Sequence, residues 1–203
     1  MNLNYVAHHL IGAWRLLRGD EDGVDHFDLT EEGFWRSFVV MSLALPAIVI
    51  GIASSFDFIS GYAVADETFD FNVPLPVYAI VEVVVTYVGW IAYLIAMAPL
   101  ARAFGAPGRY SVFVISYNWA TMLVVLLILP INLMELMGWV SIDIAVSLEL
   151  LFGLITLVYF WFVATVSLKA TRMNAAAIVA AEIFIYVVLG RISNSIYTAF
   201  PAA

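Results

Sequence analysis

Four ionisable side chains interrupt long apolar runs, and these are the positions at which the sequence could do chemistry. They are Glu82, Glu149, Glu182 and Arg191. A charge at the centre of a membrane helix costs roughly 2.5–3.5 kcal/mol on insertion scales, so such residues face protein or water and are candidates for function. Depth, counted at about 1.5 Å per residue, sorts them into two layers. Glu82, Glu149 and Arg191 are expected to meet in an outer polar layer, where mixed signs could form a register-fixing ion cluster or a solute or proton site. Glu182 lies nine residues from Arg191 on the same run, which at about 100° per residue puts it on the opposite face of that helix. Its expected partner is Asn118, at matching depth, in an inner polar layer.

Five apolar runs must carry these groups. With a mean hydropathy of +1.00, and 64% hydrophobic against 12% charged residues, the chain departs from soluble composition toward that of an integral membrane protein. A span needs roughly 20 mostly apolar residues, and the sequence places spans at about 34–54, 74–98, 110–133, 142–168 and 175–197. The expected fold is an all-α polytopic membrane helix bundle of five transmembrane helices. Tyr78, Glu82, Thr86, Gly89 and Tyr93 recur at spacings of three and four, so they share one face of the second span, directed into protein. Glu149, Gly153 and Thr156 repeat the pattern on the fourth, where small residues let helices approach closely.

Ahead of the spans, residues 1–18 carry apolar side chains at helical spacing and form an amphipathic interfacial helix. Trp14, Arg15 and Arg18 are its expected membrane-surface contacts, with His8 and His9 near the headgroups. Residues 19–33 form an acidic linker, in which Thr30 is a natural N-cap ahead of Glu31 and Glu32. Arg15, Arg18 and Arg36 precede the first span, Arg102 and Arg109 follow the second, and Lys169 and Arg172 follow the fourth. The loops after spans one and three, the former holding Asp57, Asp66, Glu67 and Asp70, lack Lys and Arg. Positive residues mark the cytoplasmic side, so the N-terminus is expected there and the C-terminus outside.

Much chemistry is excluded. Without cysteine there is no disulfide, thiolate metal site or Cys nucleophile. The three histidines all precede the first span, which leaves none to ligate a membrane haem, and no Lys within a span can hold a Schiff-base chromophore. From Asp20 the acidic linker departs from a calcium loop at Val24 and Asp25. No nucleophile elbow, zinc helix or phosphate loop is present. No catalysis, cofactor or metal is therefore expected, and eight scattered basic residues under a net charge of −8 speak against nucleic acid.

The stretch Arg109-Tyr110-Ser111 into Ile115-Ser116-Tyr117-Asn118, with Pro130 closing its span, is similar in texture to the third-span region of bacterial Yip1-family proteins. The layout of a cytoplasmic amphipathic segment, five spans and a short exterior tail also resembles that family. The resemblance implies a membrane scaffold or trafficking factor and transfers no site residues. The sequence thus leads to a scaffold or accessory subunit of a membrane complex, expected in a bacterial inner membrane by texture, whose partners are the lipid bilayer and other subunits or further copies of itself. The alternative is a small solute or proton-linked transporter built on Glu82, Glu149, Arg191 and Glu182.

Overall fold

A computed structural model of the chain describes residues 2–65 and 71–200. Asp66, Glu67 and Asp70 of the expected acidic loop lie outside the described residues. The described residues form an all-α bundle. Helix α1 (Leu3–Leu17) is followed by a 3₁₀ segment (Glu21–His26) and a short α2 (Glu31–Ser37). Five long helices come next: α3 (Val39–Ala65), α4 (Leu75–Ala103), α5 (Tyr110–Leu136), α6 (Ile142–Leu168) and α7 (Arg172–Tyr197). Five helical stretches are long and apolar enough to cross a membrane. The first of them runs Glu31–Gly61, longer than the expected 34–54, because nothing between Ser54 and Gly61 breaks a helix.

Local chemistry sets the ends. The Thr30 hydroxyl accepts the Gly33 N–H at 3.0 Å, and Thr171 caps α7 by accepting from Asn174 at 3.2 Å, each satisfying a donor that the first helical turn leaves free. Pro74 precedes α4, and Pro107 opens a 3₁₀ turn before α5. Lys169 stops α6 in the left-handed region at φ 51°, so α6 and α7 join through a turn of three residues.

Helices α3, α5, α6, α7 and α4 pack in that order into a ring, with α7 returning to α4. The most buried of them is α5, and α1 and α2 also pack against it. Close approaches use absent side chains: a Cβ on Gly89 of α4 would fall 2.8 Å from Tyr186 Cε1 of α7, and one on Gly51 of α3 would fall 2.9 Å from Asn132 Nδ2 of α5. The end of the bundle bearing α1 is the near face, and the opposite end the far face.

Candidate functional site

At the near face, α1 is part of the folded body. Ala13 and Leu16 are buried, and the Tyr159 hydroxyl of α6 donates to the Ala13 carbonyl at 2.8 Å. The part of its apolar stripe around Ala13 and Leu16 is covered by α5 and α6, while Leu3 and Trp14 stay exposed. His9 departs furthest from the expected surface position, being 2% exposed inside the folded body. Its ring packs on Trp119 with centroids 4.6 Å apart. Nδ1 donates to the Tyr5 carbonyl at 2.7 Å, and Nε2 accepts the Asp28 backbone N–H at 3.0 Å. Acceptance at Nε2 needs the neutral ring with its proton on Nδ1, and burial holds His9 below its ordinary pKa. The Asp28 carboxylate accepts from the Thr30 hydroxyl at 2.6 Å, which lowers its pKa.

The cap is tight because α1 and the 3₁₀ segment meet backbone to backbone. A Cβ on Gly12 would come 2.7 Å from the Gly23 carbonyl, and one on Gly23 2.6 Å from the Gly12 carbonyl. Of the expected surface contacts, Trp14 and Arg18 remain exposed. Arg15 turns inward to the linker, pairing with Asp20 at 2.6 Å and Asp22 at 3.7 Å.

The expected inner layer is sorted differently. Asn118 and Glu182 do not pair with each other. Fully buried Asn118 accepts from Trp90 Nε1 of α4 at 2.9 Å and donates to Ser37 Oγ of α2 at 2.8 Å, so one side chain ties three helices. Glu182, 8% exposed, accepts from the Tyr117 hydroxyl of α5 at 2.5 Å, while its second oxygen is buried without a hydrogen-bond partner. Residues 117 and 118 are neighbours about 100° apart on α5, and Tyr117 is the one turned to α7. Trp90, Ser37 and Tyr117 were not singled out from sequence, although each carries a polar tip into a span.

The outer layer also does not assemble. Glu82 accepts from the Tyr197 hydroxyl of α7 at 2.5 Å, a partner the sequence reading missed. Glu149 and Arg191 are both exposed and make no ion pair among the described residues. Between α6 and α7 lies a cleft of about 1180 Å³, floored by Val124 and Ile128 of α5. It is overwhelmingly apolar and open at the side of the bundle. Glu149 stands on its α6 wall and Glu182 at its inner end. Gly153, midway along that wall, has nothing within 4 Å of where a Cβ would be. The helix approach expected at Gly153 is therefore unmade among the described residues.

No metal-holding group of His, Asp or Glu occurs among the described residues. The bundle can hold helices in fixed register through buried polar contacts, and it can receive an elongated apolar group in the side cleft. In comparisons with protein families, curated proteins and solved structures, nothing matches this chain.

Proposed function

We propose that this membrane protein is a scaffold or accessory subunit of a membrane complex and performs no catalysis of its own. The observation carrying this reading is how the buried polar groups are spent. Asn118 joins α2, α4 and α5, Tyr117 with Glu182 joins α5 to α7, and Tyr197 with Glu82 joins α7 to α4. Ser54 donates to Glu135, joining α3 to α5, and the Tyr87 hydroxyl donates to the Met41 carbonyl at 2.6 Å, joining α4 to α3. Each such bond spares a polar group the cost of lying unpaired in hydrocarbon. The groups form separate interhelix ties and not one chain from face to face, which suits a rigid body better than a conduit. The segregation of Lys and Arg to the near face further supports a cytoplasmic N-terminus.

Transport keeps one specific support, the unpartnered Glu182 oxygen beside the cleft. Purification from the native membrane in mild detergent, with the mass of the complex read directly, separates the two. A stoichiometric second protein is expected on the scaffold reading. A lone protomer, together with ion or solute flux in vesicles that is abolished by Glu182→Gln, would overturn it in favour of transport.

A further inference from the structure

The α6–α7 cleft is closed at one end, and its length identifies what it fits. Along α6 it runs from Val146 to Phe160, fourteen residues on, or about 21 Å at 1.5 Å per residue. Toward the near face it ends where Phe160 and Glu182 are buried, as α6 and α7 converge on the Lys169 turn. A partner helix would need a trough across about 30 Å of hydrocarbon, whereas half of a bilayer with its headgroups is about 20–22 Å thick. The cleft is thus one leaflet long.

Opposite charges lie at one depth beside it, Glu149 on its wall and Arg191 one helical turn beyond Val187, the last α7 residue that lines it. Glu149 is seven residues into α6 from the far end, and Arg191 is six residues short of the far end of α7, so they lie about 10 and 9 Å below the helix ends. Arg191 follows Val187, which lines the cleft, by four residues and so shares its face. Neither charge has an ion-pair partner among the described residues. Of the eight Lys and Arg residues in the chain, only Arg191 lies toward the far face. A second copy of the chain would bring Asp57, Glu82 and Glu149 to about that level, and Glu135 and Asp143 nearer the helix ends, against one cation, and is disfavoured by repulsion.

We propose that the cleft binds one zwitterionic amino-phospholipid from the far-face leaflet. Its ammonium sits on Glu149, its phosphate on Arg191, and an acyl chain runs inward over Gly153 and between Leu157 and Ile183 to the level of Glu182. Ammonium with carboxylate, and guanidinium with phosphate, are the charge-assisted pairs that such a headgroup supplies. The missing side chain at Gly153 leaves the chain its path, and the side opening admits it directly from the bilayer. This inference is independent of the scaffold reading.

The test is native mass spectrometry of the full chain released from nanodiscs containing phosphatidylethanolamine, phosphatidylglycerol and a trimethylammonium diacyl lipid in equal parts with matched acyl chains. One phosphatidylethanolamine per protomer is expected, retained about tenfold over each of the others, a preference of about 1.4 kcal/mol. Glu149→Gln is expected to erase the advantage over phosphatidylglycerol, and Arg191→Gln the advantage over the ammonium lipid. Gly153→Phe, whose ring enters open space and leaves the fold intact, is expected to remove all three. Equal retention of the three lipids by the unaltered chain, or retention unaffected by Gly153→Phe, would overturn the proposal. So would a dimer or a bound second protein that Gly153→Phe disperses, which would make the occupant a helix. A retained lipid on a lone protomer supports the lipid site while counting against the scaffold reading, so the two fail separately.

Discussion

His9→Ala is expected to release α1 from the bundle without unfolding the spans. The side chain is 2% exposed, and its removal forfeits packing on Trp119 and Tyr5. For a buried ring of this size that is about 2 kcal/mol, below the 3–5 typical of Phe or Trp truncation. It also strands the half-buried Asp28 N–H, whose bond to Nε2 is 3.0 Å long, at about 1–2 kcal/mol, the lower part of the range for a buried group. The total of about 3–4 kcal/mol corresponds to two to three decades in the docking equilibrium at about 1.4 kcal/mol per decade. Hydrogen exchange read by mass spectrometry in nanodiscs is the assay, with α5 as internal reference. Amides of Leu3–Leu17 and Glu21–His26 are expected to exchange about 10²–10³ times faster, and those of α5 to be unchanged. Gln at position 9 can still accept from Asp28 and is expected to recover part of the protection. Unchanged α1 protection in His9→Ala would refute the reasoning and assign the docking to Leu16 and Tyr159 alone.

Acidification is expected to act in the same direction. Burial lowers the His9 pKa in the docked state, while the released ring titrates near 6.5; the released state therefore takes up its proton first as pH falls. Docking present at pH 7.5 weakens toward pH 5.5, with His8 opposing and Asp28 favouring protonation of the docked ring, and exchange in His9→Gln is expected to lose this pH dependence. Asn118→Leu leaves the Trp90 N–H without its acceptor and is expected to cost about 1–3 kcal/mol; combined with Trp90→Phe, the loss seen in thermal unfolding is expected to be less than additive. Gly12→Ala drives a Cβ toward the Gly23 carbonyl and is expected to cost about 1–3 kcal/mol, whereas Gly153→Ala, facing open space, is expected to leave the melting temperature within about 2 °C, a surface-sized effect.

The helices were legible because each is a long apolar run ended by Pro, Gly or a capping Thr, and such runs have one stable form in lipid. The site was less legible, and for a definite reason. Depth can be counted from a helix end, but facing between helices depends on their rotation, which one sequence does not state. Asn118 and Glu182 do lie at comparable depth, yet Tyr117, one position earlier, is turned to α7 and takes the Glu182 bond. Glu82 was assigned a charged partner because charges are conspicuous, while its actual partner is the hydroxyl of Tyr197, a residue that also reads as an interfacial aromatic. His8 and His9 are both expected near the headgroups, and because adjacent helical positions point about 100° apart, only one of them, His8, is exposed while His9 is buried.

The bond between the Tyr159 hydroxyl and the Ala13 carbonyl joins positions 146 residues apart, and this sets a timetable for biogenesis. When α1 leaves the ribosome, the α5 and α6 surfaces that will cover it do not yet exist. At roughly 5–20 residues per second, the interval before residue 159 is made is on the order of 7–30 s. Over that interval the stripe holding Ala13 and Leu16 has the 3₁₀ segment on one side, and on the other the lipid surface or a chaperone, to shield it. The first segment synthesised is thus among the last to reach its final place, and its docking reports that α5 and α6 have been inserted.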